Sequence, residues 1–87
     1  MRRVAFLPAA FDDLSQWATE DRKVYARIVK LIKDIDRDPF VGIGKPEPLK
    51  HELAGLWSRR ITDEHRHVYK VTNEEIVIVS CRFHYDR

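Results

Sequence analysis

Hydrophobic periodicity changes once along this chain, and that change restricts the fold more than any other feature. Up to Arg37 the apolar residues recur at three-to-four spacing, as on a helix face, whereas after Gly55 they fall in short strand-like runs separated by polar turns. Between the two lies Asp38 to Leu49, which holds three of the four prolines and two of the three glycines, a composition that suits neither helix nor strand interior. Helices are thereby segregated from strands, which predicts an α+β domain.

The spacing places the individual elements. Arg3 to Leu7, ended by Pro8, reads as a first strand whose partner lies later in the chain. Ala10, Phe11, Leu14, Trp17 and Ala18 predict an amphipathic helix over Ala9 to Thr19. Val24, Ile28, Leu31, Ile32 and Ile35 predict a second between Asp21 and Arg37, with Arg27, Lys30, Lys33 and Asp34 on its polar side. The short Thr19-Glu20-Asp21 link makes these an antiparallel hairpin, and Asp38-Pro39 stops the second helix. Leu56 to Thr62, His65 to Val71 and Glu75 to Phe83 then form an antiparallel meander. Ile76 to Val79 is apolar on both sides, as in a central strand. The expected architecture is a helical hairpin packed on a mostly antiparallel sheet of about four strands.

A chain of 87 residues makes one domain, residues 1–87, and leaves no room for a large internal substrate cavity. Its 44% hydrophobic and 34% charged residues are those of a folded globular protein and not of a disordered tail. Cys81 is the only cysteine, which excludes an intrachain disulfide and a cysteine zinc cluster; its apolar neighbours predict a buried thiol. With no long apolar run resembling a signal peptide or membrane span, the expectation is a cytoplasmic protein without a membrane partner. A net charge of +2 is an equally weak argument for nucleic acid and for an ordinary solvated surface. Ten arginines against six lysines say more, because the guanidinium fork suits phosphate and carboxylate.

Several side chains are candidates for chemistry. Glu47 stands in Lys45-Pro46-Glu47-Pro48, where flanking prolines stiffen the backbone as a general base requires. A carboxylate in water is a weak base, so catalysis from such a site needs desolvation or a close phosphate, and the alternative is an exposed loop glutamate. His84 and Tyr85 follow the last strand beside Arg82; a histidine delivers protons near neutral pH, and a tyrosine can stack on a base. The alternative is an aromatic pair packed on the sheet edge. Arg59, Arg60 and Arg66 bracket the Thr62 to His65 turn, with Lys50 and His51 before it, giving a group of phosphate-competent residues.

Strand register around that turn has two readings. A three-residue turn at Thr62 to Glu64 pairs Arg60 with Arg66, and a two-residue turn at Asp63-Glu64 pairs Arg60 with His67. The first is preferred because two guanidiniums on one open face would be costly without an anionic ligand. His65-Arg66-His67 gives only a weak zinc signal, and no Gly-rich phosphate loop, HExxH helix or Gly-x-Ser-x-Gly elbow occurs. One carboxylate, one histidine and several arginines suffice for RNA cleavage without a metal or other cofactor, by attack of a 2′-hydroxyl on its own phosphate.

The string from Pro39 through Gly42-Ile43-Gly44-Lys45-Pro46-Glu47-Pro48-Leu49-Lys50 to His51 resembles the central motif of the YoeB/Txe toxins of the RelE/ParE superfamily. Leu56-Trp57-Ser58-Arg59-Arg60-Ile61-Thr62, Glu64-His65-Arg66, Val68-Tyr69 and Cys81-Arg82-Phe83-His84-Tyr85 are similar to the rest of that pattern in order and spacing. The resemblance implies the microbial-RNase-like RelE/YoeB fold and a ribosome-dependent messenger-RNA endonuclease. It also implies a frequent homodimer and a cognate YefM-type antitoxin that holds the enzyme inactive. By position it implies Glu47 as general base, Arg66 as the arginine stabilising the transition state, His84 as general acid and Tyr85 beside it. Lys50 and Arg60 match basic residues of the family's RNA-binding surface, to which His51 and Arg59 are neighbours. Family members commonly end at or near the His-Tyr pair, whereas Asp86 and Arg87 follow here; His67 replaces a usually apolar residue, implying a histidine shuttle or altered packing. The readings that compete with this one are a ParE-like poison of DNA gyrase and a non-catalytic RNA- or DNA-binding module, neither of which needs Glu47 or His84-Tyr85.

Overall fold

A computed structural model describes residues 2–82. Along the chain run β1 (Arg3–Phe6), α1 (Pro8–Glu20), α2 (Arg22–Arg37), β2 (Glu47–Pro48), β3 (Leu56–Arg60), β4 (Arg66–Val71) and β5 (Glu75–Ser80), with a single 3-10 turn at His51–Leu53. Pro8 opens α1, where its missing N–H would have had no helical partner. Asp21 alone separates the helices: its N–H donates to the Trp17 carbonyl (3.0 Å) and its carboxylate accepts from the N–H groups of Lys23 (3.0 Å) and Val24 (3.3 Å). One residue thus ends α1 and caps α2. Both helices run slightly beyond the hydrophobic pattern because their end turns are set by these backbone partners.

The sheet has five strands in the order β1-β5-β4-β3-β2, with β1 parallel to β5 and every other pair antiparallel. The α+β expectation holds, and the strand count is larger by one. The extra strand is Glu47–Pro48, inside the segment read as irregular; two residues flanked by prolines leave no alternation to detect. β5 is interior, between β1 and β4, although the middle strand is β4. A bulge at Val79 shifts the β4–β5 register, so that Val68 faces Ser80 while Tyr69 faces Ile78.

Ile28, Leu31 and Ile35 of α2, with Ala10 and Trp17 of α1, pack against Ile61, Tyr69, Ile76, Ile78 and Cys81 in one buried cluster. Burying a side chain of this size contributes about 1.5–3 kcal/mol. The Trp17 indole N–H donates to the Cys81 carbonyl (3.0 Å), and the Arg82 guanidinium lies 4.0 Å from the Trp17 ring centroid while pairing with Glu20 (2.9 Å). The end of β5 is thereby fastened to α1. The Cys81 thiol is buried as expected, and burial, helped by the nearby Asp13 carboxylate, pushes its pKa up to about 12. Neither described helix is long and apolar enough to cross a membrane.

Pairing sorts the strand residues onto two faces. Trp57, Arg59, His67, Tyr69, Ile76 and Ile78 turn to the helix side, and Glu47, Ser58, Arg60, Arg66, Val68 and Ser80 share the other.

Candidate functional site

The far face of the sheet is organised by the β3–β4 hairpin. The Ile61 N–H donates to the His65 carbonyl (3.0 Å), and the Thr62 hydroxyl accepts from the N–H groups of Glu64 and His65, both at 3.1 Å. These bonds close a three-residue turn, and Arg60 stands directly opposite Arg66. The preferred register is the observed one. Arg66 bends back so that Nη1 donates to the carbonyls of Thr62 (2.7 Å), His65 (3.1 Å) and Asp63 (3.2 Å), which fixes the guanidinium. Arg60 is 45% exposed and its only anionic neighbour among the described residues is the fully exposed Asp63 at 4.0 Å, too loose a pair to neutralise it.

Glu47 enters the same face from β2, exposed and opposite Ser58, which in turn faces Val68 on β4. With strands about 4.8 Å apart and a rise of about 3.4 Å per residue, the Cα atoms of Glu47 and Arg66 stand roughly 12 Å apart. Both residues are presented on the same face across that gap, with the Arg66 guanidinium folded toward the turn. Lys50 and His51 are exposed just beyond β2, at the end of the strand pair opposite to Arg60 and Arg66, so basic groups flank Glu47 on both sides. His51 has a left-handed backbone (φ 59°), a strained conformation for a non-glycine residue that costs about 1–3 kcal/mol. The expected positions of His84 and Tyr85 lie outside the described residues.

Arg59 departs from its expected role at an RNA surface. Its side chain is fully buried on the helix side, and every N–H of its fork is used. Nε donates to the Tyr69 hydroxyl (3.1 Å), Nη1 to Asp34 Oδ2 (2.6 Å) and the Ile43 carbonyl (3.1 Å), and Nη2 to the carbonyls of Asp38 (2.7 Å) and Val41 (3.5 Å). Strand alternation makes this unavoidable: if Arg60 faces out, Arg59 faces in. Asp34, read as part of the polar side of α2, is the counterion, with a side chain only 16% exposed. Burial works against its charge, but hydrogen bonds from Arg59, Arg37 and the Ile43 N–H outweigh that and hold its pKa down at about 2. Only the folded chain brings Asp34, Arg59 and Tyr69 together, and nothing in their spacing announces it.

His67 also turns inward, beside Arg59, with neither ring nitrogen hydrogen-bonded and its ring edge-on to Tyr69 at 5.9 Å. It sits on the opposite face from Arg66, so it belongs to packing and not to a proton shuttle. His65 packs edge-on against Trp17 at 4.9 Å, away from any shared metal geometry with its neighbours.

Residues 6–85 match the family model described as a YoeB-like toxin of bacterial type II toxin-antitoxin systems. The chain belongs to the YoeB toxin family. A toxin YoeB of Streptomyces coelicolor is 57% identical over 83 residues, covering 95% of this chain and 99% of that one. Among solved structures, a YoeB dimer from Staphylococcus aureus superimposes with a TM-score of 0.89 at 46% identity, covering 97% of this chain and 98% of its own. A YoeB–YefM complex from the same organism gives 0.88 at 44% identity, covering 98% and 99%. This toxin therefore carries its family's fold over nearly its whole length, with Glu47 and the Arg60–Arg66 pair on one face of the sheet.

Proposed function

We propose that this toxin is a ribosome-dependent messenger-RNA endonuclease whose chemistry uses side chains alone, without a metal ion. The observation that supports the reading is the placement of Glu47, Arg60 and Arg66 on the one sheet face away from the helices, where Arg60 has only a loose, exposed anionic neighbour among the described residues, Asp63. Glu47 removes the proton of a 2′-hydroxyl, and that oxygen attacks the adjacent phosphorus. Arg66, already fixed by the turn carbonyls, stabilises the charge on the phosphorane oxygens. His84 protonates the departing 5′-oxygen with Tyr85 beside it, leaving a 2′,3′-cyclic phosphate and a 5′-hydroxyl. Lys50, His51 and Arg60 hold the flanking backbone.

The ribosome supplies the substrate in a fixed conformation, which suits an open face better than a deep pocket and puts the working site in the cytoplasm. The partner that restrains the enzyme is an acidic YefM-type antitoxin, and the toxin pairs with itself as a homodimer, by likeness to the Staphylococcus aureus proteins.

Incubation with translating ribosomes, followed by mapping of messenger-RNA ends, tests the reading. New 5′-hydroxyl ends are expected with the parent protein and should fall by about 10²-fold or more with Glu47→Gln, whose amide cannot accept the proton. Equal cleavage by both proteins would remove Glu47 from the mechanism. Intact messenger RNA together with gyrase-dependent DNA breaks would replace the nuclease reading with a gyrase poison.

A further inference from the structure

Glu47 lies on a strand that cannot hold itself in place. β2 is two residues long, Pro46 and Pro48 have no N–H to give to a ladder, and Glu47 is exposed. Its position must be imposed from either side. Downstream, the Leu49 N–H donates to the Leu56 carbonyl (2.9 Å). Upstream, the Asp38 to Gly44 segment is fastened at successive points: the Arg59 fork takes the carbonyls of Asp38, Val41 and Ile43, and the Tyr69 hydroxyl donates to that of Pro39 (2.7 Å). Asp34 Oδ2 accepts the Ile43 N–H (3.0 Å), and the Arg60 N–H reaches the Gly44 carbonyl at 2.6 Å. Gly44 itself is packed so closely that a Cβ would press on Leu31, Arg59 and the Arg60 carbonyl. Three residues later comes Glu47.

We propose that Arg59, held between Asp34 and Tyr69, is a positioning residue for Glu47. It clamps the loop that delivers the carboxylate, while Arg60, the next residue of the same strand, faces the substrate. One strand thereby sets the distance between the base and the cation on its outer face. The inference rests on Glu47 being the general base, and it predicts a defect that exists only while that base is present.

The test is a double-mutant cycle on programmed ribosomes under single-turnover conditions, using Tyr69→Phe, which removes the hydroxyl between Arg59 and the Pro39 carbonyl, and Glu47→Gln. Tyr69→Phe is expected to lower the cleavage rate about tenfold, with affinity for programmed ribosomes changed by less than about twofold. In the Glu47→Gln background the same substitution should change the residual rate by less than about twofold. Asp34→Asn, which keeps an acceptor beside Arg59 but removes its charge, should behave in the same way and serves if Tyr69→Phe does not fold. An equal loss in both backgrounds would mean a general structural effect and overturn the proposal, as would full activity in both Tyr69→Phe and Asp34→Asn. Full activity of Glu47→Gln would instead defeat the general-base reading, an outcome visible before the cycle is completed.

Discussion

Buried His67 and partly buried Asp34 both lose a stabilising contribution in acid, over different pH ranges. Burial, reinforced by the adjacent Arg59 cation, lowers the pKa of His67 from 6.5 to about 3, so the folded chain holds it neutral. The unfolded chain then binds more protons below pH 6.5, and stability contributed by the neutral ring is complete above that value and lost as pH falls toward 3. At pH 4.5 the loss amounts to about 2–3 kcal/mol. His67→Leu should therefore raise the melting temperature more at pH 4.5 than at pH 7, measured by circular dichroism; an equal shift at both would refute the assignment. Asp34 acts later. Its carboxyl is depressed from 3.8 to about 2, so its ion pair persists until pH falls below the normal carboxylate range. At neutral pH, Asp34→Ala should cost about 3–5 kcal/mol in urea denaturation, because it strands a fully buried Arg59.

At the scale of elements, the β3–β4 hairpin carries an unfavourable pair of like charges. Arg60 and Arg66 are directly opposed, and like charges so placed destabilise a strand pair by a few tenths of a kcal/mol. Arg60→Gln should raise the urea midpoint slightly at low salt, with the gain fading as salt screens the pair. Under the proposed function the same substitution should also slow messenger-RNA cleavage, since it removes a cation from the face assigned to the substrate. A variant that is both less stable at low salt and fully active would contradict this account of the face. The helix hairpin makes no such compromise: Asp21 supplies both the stop of α1 and the cap of α2, and Ile28, Leu31 and Ile35 of α2 share one buried cluster with residues of the sheet.

For the whole molecule, the proposed function implies that antitoxin and RNA compete for the same cations. An acidic antitoxin that neutralises Lys50, Arg60 and Arg66 would cover the surface proposed for RNA, so the two should exclude one another and both bind less tightly at high salt. Titrating the YefM-type partner against ribosome-bound messenger RNA should give competitive inhibition, and Lys50→Gln combined with Arg60→Gln should weaken the partner along with the substrate. A complex in which the antitoxin leaves this face open with its geometry unchanged would exclude that mechanism. The main buried cluster lies on the opposite side of the sheet, while Val68 and Ser58 are buried on this one.

Local chemistry was enough to determine the helix hairpin, the meander and the buried Cys81, because each depends on apolar spacing close in sequence; it left two registers open at the Thr62 to Glu64 turn, and the structure has the preferred one, Arg60 opposite Arg66. The roles expected of Glu47 and Arg66 came from the resemblance of their motifs to a known family and not from periodicity. Tertiary structure alone decided the rest. The parallel pairing of β1 with β5 joins segments some seventy residues apart, which no local pattern encodes. A two-residue strand bounded by prolines leaves no periodicity, yet its pairing with Ser58 puts Glu47 on the face of the arginines. Arg59 and Arg60 are chemically alike and adjacent in sequence. Which of them is buried depends on the carboxylate of Asp34, the hydroxyl of Tyr69 and a row of loop carbonyls converging from distant parts of the chain, because only such a set can satisfy a guanidinium removed from water.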